Sequence, residues 1–191
     1  MFWTACKLFL VMTFLTGCLY PFLVTEIATF TMPDQANGSL IFVNQQLRGS
    51  KFIVQSFTGE QYFWPRPSAL HYNTLRSYGS NLGPTSRKLK DIVKQRAQKL
   101  MQSHPNASSL PSDLLYASGS GLDPHISLEA AYFQIERIAR SRSLHSQDQE
   151  KLRHLIDQMA EGQAGLLGPP YLNVLLLNMQ LDQHFPGSKQ P

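Results

Sequence analysis

The residues best suited to metal or acid–base chemistry are six histidines, His71, His104, His125, His145, His154 and His184. A zinc site needs histidine or cysteine ligands in paired spacing, and a helical metalloprotease site needs His-Glu-x-x-His. Neither pattern occurs, so no metal site is expected. Ser118-Gly119-Ser120-Gly121 offers two hydroxyls for acyl transfer, but a nucleophile elbow needs glycines two before and two after the serine, and here they are adjacent. Gly119-x-Gly121-x-x-Pro124 places proline where a dinucleotide fingerprint needs its third glycine. Thr85-Ser86-Arg87-Lys88 sets a hydroxyl three before a lysine, as in some serine–lysine acyl enzymes, without a second signature of that class. No catalytic residue is assigned. A hydrolase using Ser118 or Ser120 stays open as a reading that predicts labelling by a serine-directed probe. What the turn does offer is a helix start with free backbone N–H groups, suited to an anion or a partner carboxylate. The plainer alternative is a structural strand-to-helix turn with Gly119 or Gly121 at positive φ.

These residues must be positioned by few regular elements. Asn37-Gly38 signals a turn; Ser39 to Val43 and Phe52 to Gln55, separated by Gly49, read as a hairpin. Thr58 to Pro84 holds three prolines, three glycines and several aromatics without helical period, which predicts a long irregular segment. Thr85 or Ser86 then caps a helix carrying Leu89, Ile92, Val93, Ala97, Leu100 and Met101 at helical spacing, until His104-Pro105 ends it. Leu114 to Ala117 reads as a strand that leads into the glycine turn. Ser127 is the expected N-cap of a helix with Leu128, Ala131, Ile135, Ile138 and Ala139 inward, and Gln134 and Arg137 on its flank. A further helix spans about Gln147 to Met159. Gly162 to Pro170 is a connector. Val174 to Leu177 begins either a strand or a last helix, which periodicity alone leaves open.

The compartment of this body is set by its first thirty residues. Leu8 to Thr25 carries no charge between Lys7 and Glu26. At about 1.5 Å per residue such a helix covers roughly 27 Å, close to the hydrocarbon thickness of a bilayer. Residues 1–30 are therefore read as a cytoplasmic tip and transmembrane anchor, and residues 31–191 as one extracytoplasmic domain. Lys7 and the amino terminus bias the N-terminus to the cytoplasm. Pro21 removes one backbone donor and implies a kink or local adjustment. Leu15-Thr16-Gly17-Cys18 also reads as a lipoprotein processing box, which gives the alternative of a lipid-anchored envelope or solute-binding protein processed at Cys18. Against it, the apolar run continues through Leu19, Tyr20, Phe22, Leu23 and Val24. Both cysteines, Cys6 and Cys18, lie in the anchor, so the body has neither disulfide nor thiolate ligand. Of the chain's +4 charge, most is local: Arg87, Lys88, Lys90, Lys94, Arg96 and Lys99 face only Asp91. Such a stripe suits nucleic acid or anionic lipid, or is simply the solvated side of an amphipathic helix, the reading preferred here.

Several of these segments together resemble the C subunit of the bacterial Kdp potassium-transporting P-type ATPase. The resemblance covers nearly the whole chain: Thr16-Gly17-x-x-Tyr20-Pro21 in the anchor, Gln35 to Ile41 at its exit, Arg48-Gly49-Ser50, Gln55-x-Phe57-Thr58-Gly59, Tyr62-Phe63-x-x-Arg66-Pro67-Ser68-Ala69 and Gly79-Ser80-Asn81-Leu82-Gly83-Pro84. Its most specific stretch is Ala117 to Ser127, followed by Ala130, Ala131, Gln134, Arg137, Ala139 and Arg142, with Val174-x-x-Leu177-Asn178-x-x-Leu181-Asp182 at the end. The resemblance implies a non-catalytic inner-membrane subunit with a small α+β or α/β extracytoplasmic domain on one helix. Its implied partners are a channel-like potassium subunit, a P-type ATPase subunit and a very small membrane subunit, with no nucleic acid. A role as catalytic chaperone raising the pump's ATP affinity is also implied, with ATP reached only through the pump subunit. A body outside the membrane cannot touch cytoplasmic ATP, so assembly, stabilisation or the potassium entrance suits this orientation better. Candidate partner contacts are Gly17, Tyr20, Pro21, Tyr62, Phe63, Arg66, Asn81, Gly119, Ser120, Gly121, Asp123, His125, Gln134 and Arg137. Leu144 to His154 is about three residues longer than the family pattern, so no nucleotide-contacting glutamine is carried onto Gln147 or Gln149. Cys18 stands where glycine is usual.

Overall fold

The computed structural model of the chain describes residues 1–162 and 168–186. It forms two compact units, Met1–Ser50 and the chain from Lys51 onward, so the first hairpin groups with the apolar helix.

In the first unit one helical rod runs from Phe2 to Thr31: α1 (Phe2–Phe14), a π-helical turn (Leu15–Leu19) and α2 (Tyr20–Thr31). Pro21 causes no break. The backbone widens just before it, with the Tyr20 N–H reaching Leu15 O, and the rod continues. The short α3 (Pro33–Ala36) leads to an antiparallel hairpin of β1 (Leu40–Val43) and β2 (Gln46–Ser50). The pairing thus corrects the hairpin expected with Phe52 to Gln55. Its turn is Asn44-Gln45, both at positive φ (49° and 63°), the geometry that matches the strands' own twist. No glycine marks that turn, which is why Gly49 looked like the breakpoint; Gly49 instead sits inside β2.

The second unit is α+β, as expected. Its long segment from Lys51 to Thr85 has no helix or strand. Then come α4 (Arg87–Ser103), α5 (Ser112–Leu115), β3 (His125–Ser127), α6 (Leu128–Arg142), α7 (Ser146–Met159), β4 (Tyr171–Asn173) and α8 (Val174–His184). Leu114 to Ala117 is not a strand: Pro111 and Ser112 open a single helical turn there. The glycine turn does not feed directly into a helix either, because β3 intervenes. β3 and β4 pair antiparallel, with Ile126 opposite Leu172. Each strand runs straight into a helix through a side-chain cap. Ser127 Oγ accepts from Ala130 N (3.1 Å) at α6, and Asn173 Oδ1 accepts from Leu176 N (3.1 Å) at α8. Val174 to Leu177 is thereby settled as helix, with a strand just before it that periodicity did not show. Of the connector from Gly162 to Pro170, residues 163–167 lie outside the described residues.

The core gathers around α6. Ala130 and Ala131 are fully buried, and their small side chains let neighbouring backbone approach; Ile135, Ile138, Leu152, Ile156, Leu172, Leu177 and Leu181 fill the surrounding space, with Phe63 and Trp64 inserted from the long segment. Ser143 ends α6 in the left-handed conformation (φ 56°), and Leu144 N closes the turn on Ala139 O (2.8 Å).

Candidate functional site

Lacking ladder partners, the carbonyls from Glu60 to Trp64 and the N–H groups of Phe63 and Trp64 bond to side chains on α6 and α8. Gln134 Oε1 accepts from Trp64 N (2.7 Å) while its Nε2 donates to Trp64 O (3.2 Å). One residue earlier, Asn178 repeats the pattern: Oδ1 accepts from Phe63 N (2.8 Å) and Nδ2 donates to Phe63 O (3.0 Å). Two buried amide groups thus act as strand partners for two consecutive residues, which satisfies polar backbone that burial alone would penalise. Guanidinium groups extend the arrangement. Arg137 donates to Glu60 O, to Tyr62 O (2.9 Å) and to Gln134 Oε1 (2.7 Å), and its plane lies 3.9 Å from the centre of the Trp64 ring. Arg142 donates to Gln61 O (2.8 Å), Phe185 O (2.6 Å) and Asp182 Oδ1 (2.6 Å), tying the segment to the end of α8.

Gln134 and Arg137 are therefore not on a flank. They are 0% and 1% exposed, in the centre of the body. Burial pulls the Arg137 pKa down to about 10, with the Glu60 carboxylate opposing, so the group stays charged at neutral pH. Tyr62 is half-buried, and its hydroxyl donates to Asp182 Oδ2 (3.2 Å); burial first and the Asp182 charge second hold it above the ordinary tyrosine value.

A second junction surrounds the glycine turn. Gly121 has φ +72°, and a Cβ there would lie 2.7 Å from Tyr78 O; a Cβ on Gly79 would lie 2.8 Å from Gly119 O. Two glycine-bearing strands of backbone thus pass within a distance that only glycine permits. Ser68 Oγ donates to Gly121 O (2.7 Å), and Ser77 Oγ to Ser120 O (3.2 Å). Arg66 Nη1 and the His125 imidazole both meet the Asp123 carboxylate, at 3.0 and 3.1 Å. Burial pushes that carboxyl up, but the hydrogen bonds and charge of His125 and the charge of Arg66 outweigh it and hold it below its usual range. The turn is a joint between chain segments. Ser118 is buried, and Ser120 Oγ accepts from Leu122 N (3.1 Å); among the described residues neither hydroxyl bonds a histidine. The start of α6 is also occupied from within, since Asp113 Oδ2 accepts from Ser127 N (2.8 Å).

Of the other candidates, Gly17, Tyr20 and Pro21 are exposed on the apolar rod, and a Cβ on Gly17 would meet nothing within 4 Å. Asn81, Gly119 and Ser120 are exposed on the body, whereas Phe63 is wholly inside. No three histidine, cysteine, aspartate or glutamate side chains gather as metal ligands among the described residues. Asn178, Arg142 and Asp113 were not singled out as site residues. Asn178 lay in the heart of an apolar helix, and that position was the available signal.

The rod Phe2–Thr31 has no buried residue and is long and apolar enough to cross a membrane. The family described as K+-transporting ATPase, c chain, matches residues 2–183. The chain belongs to the KdpC family. It is 41% identical over 179 residues to the potassium-transporting ATPase KdpC subunit of Leptospira interrogans, covering 94% of this chain and 92% of the relative. It is 44% identical to that of Janthinobacterium (94% and 96%) and 45% identical to that of Rhodospirillum rubrum (95% and 95%). A KdpC chain is an accessory subunit of the K+-transporting ATPase, whose ATPase activity lies on another subunit.

Proposed function

We propose that this chain is the single-pass accessory subunit of an ATP-driven potassium uptake complex in the bacterial inner membrane, with its N-terminus cytoplasmic and its body outside. It assembles with a channel-like potassium subunit, a P-type ATPase subunit and a small membrane subunit. ATP hydrolysis belongs to the pump subunit, and any effect on ATP affinity reaches that subunit through the assembly. The observation that carries this reading is the thirty-residue helix Phe2–Thr31, which holds an eighteen-residue stretch of mean hydropathy 1.9 with no buried residue, in a chain of this family. The helix runs unbroken through Cys18. That continuity supports a retained anchor over a chain processed and lipidated at Cys18, and an intact mass beginning at Met1 separates the two.

Within this reading the body contributes assembly and the outer approach to the potassium path. Exposed Leu75 (88%) and Tyr78 (47%) on the long segment, with Asn81 and Ser120, form the proposed contact face, while the anchor contributes Gly17, Tyr20 and Pro21. The test is purification of the tagged chain in mild detergent after co-expression with its pump. Gly17→Leu is expected to lower recovery of the partner subunits while leaving the body's unfolding midpoint unchanged, because that position meets nothing within the chain. Recovery of the wild-type chain alone would overturn the assembly role. Orientation is read from Leu75→Cys: labelling by a membrane-impermeant maleimide in intact spheroplasts is expected, and labelling only after permeabilisation refutes an outside body.

A further inference from the structure

The described body has two open cavities that flank α4, of about 310 and 450 Å³, and they share Ser68, His71 and Arg96. Neither has a carboxylate in its lining. The first carries Arg96 and Lys99 around a floor that includes Trp64; the second carries Arg96 and Lys88. Lys99 Nζ stands 5.2 Å from the centre of the Trp64 ring. Arg96 is half-buried, and Nη1 donates to Leu115 O (2.8 Å); no acidic side chain among the described residues pairs with it. Burial lowers its pKa, with the neighbouring Tyr72 opposing. His71 and Tyr72, on the wall, both have positive φ (51° and 62°), an unfavourable conformation for two consecutive non-glycine residues and one that clusters at binding sites.

Taking a guanidinium partly out of water without an opposing charge is costly, and the cost is offset when an anion completes the site. The body's other deeply placed guanidinium groups, on Arg137 and Arg142, are surrounded by carbonyl and carboxylate acceptors from the chain itself. Arg96 differs. Its fork has remaining donors toward a solvent-open cleft, with an ammonium group to each side along the helix.

We infer that the cleft between α4 and the segment from Ser56 to Leu82 is a binding site for a phosphate-bearing anion, with Arg96 as the bidentate anchor and Lys99 and Lys88 as flanking charges. A free phosphate and a lipid phosphodiester both spread negative charge over at least two acceptor oxygens, which suits a guanidinium fork flanked by two point charges approaching from different residues. The phosphate can belong to an anionic lipid headgroup or be free in solution.

The test uses the full chain with Trp3→Phe, which leaves Trp64 as the only tryptophan and hence a reporter in the cleft itself. In neutral detergent, sodium phosphate is titrated against sodium chloride at matched ionic strength. In a second arm the chain is reconstituted in phosphatidylcholine bilayers with increasing phosphatidylglycerol. A saturable change in Trp64 emission is expected in at least one arm, and the responding arm identifies the source. Arg96→Gln should raise the midpoint about tenfold or more, and so should Lys99→Gln, whose exposed side chain can change without disturbing the fold. Lys151→Gln, outside the cleft, should leave it unchanged. No saturable response in either arm, or equal midpoints in all variants, overturns the site.

Discussion

Gln134→Leu removes the amide that substitutes for a β-strand, in nearly the same volume and at a position that is 0% exposed. The replacement leaves Trp64 N and Trp64 O without partners and takes one acceptor from Arg137 Nη2. The bond from Nε2 to Ala130 O adds nothing to the loss, since that carbonyl keeps its place in the helix. Each buried group left unsatisfied costs about 1–3 kcal/mol, so the three together predict a loss of about 3–5 kcal/mol after partial relaxation. A domain of this size has a total stability of about 5–15 kcal/mol, so the variant folds with a large part of its margin gone. The unfolding midpoint should fall by roughly 10–15 °C. The assay is urea and thermal unfolding of the full chain in neutral detergent, followed by Trp64 fluorescence in the Trp3→Phe background.

Asn178→Leu supplies the comparison. It strips the partners of Phe63 N and Phe63 O only, so about 2–4 kcal/mol is expected. Because both amides hold one segment, the double variant should lose less than the two single losses added together. If Gln134→Leu costs under about 1 kcal/mol, the amide pairing is not what seats this segment, and the hydrophobic insertion of Phe63 and Trp64 must suffice without it.

Gly121→Ala places a methyl 2.7 Å from Tyr78 O at φ +72° and should destabilise the body by about 2–3 kcal/mol, whereas Gly119→Ala, with open space around its Cβ, should be near neutral; denaturant midpoints of the pair decide it. His104 is buried between Trp64 and Phe133 and bonded to Leu100 O, and burial, the largest influence, lowers its pKa below the usual 6.5. The unfolded chain then binds a proton that the folded chain refuses, so this stability is whole above pH 6.5 and lost as the pH falls below it. His104→Phe should flatten the stability profile between neutral pH and the folded pKa, and an unchanged acid slope in that window would refute the assignment.

The helices were legible in the sequence because their apolar period and caps are local properties. Ser86 and Ser127 cap α4 and α6 as their positions suggested, accepting from Leu89 N (3.4 Å) and Ala130 N. The strands were not, for identifiable reasons. β3 and β4 have three residues each, too few for alternation to show, and their pairing joins segments far apart in the chain. The β1–β2 turn uses Asn44-Gln45 at positive φ, without the glycine that would have marked it. The error at Gln134 and Arg137 is more instructive. Gln134 lies four residues after Ala130 and four before Ile138, so the helical period put it on the buried stripe, yet its polarity argued for the flank. Periodicity was the better guide, because a polar side chain on an apolar stripe has backbone to satisfy.

That principle also separates three of the guanidinium groups that this body takes partly or wholly out of water. Arg137 spends its donors on two carbonyls and an amide oxygen and lays its plane on Trp64. Arg142 spends its own on two carbonyls and a carboxylate. Both lie on α6, where they fix an irregular segment that has no sheet to join. Arg96 lies on α4, has one carbonyl, and opens onto two cavities without an acid. If half-burial of a cation served only to fasten the fold, Arg96 would be expected to have the same complement of internal acceptors as the other two. Its remaining donors open onto the cleft, where the proposed anion supplies the opposing charge.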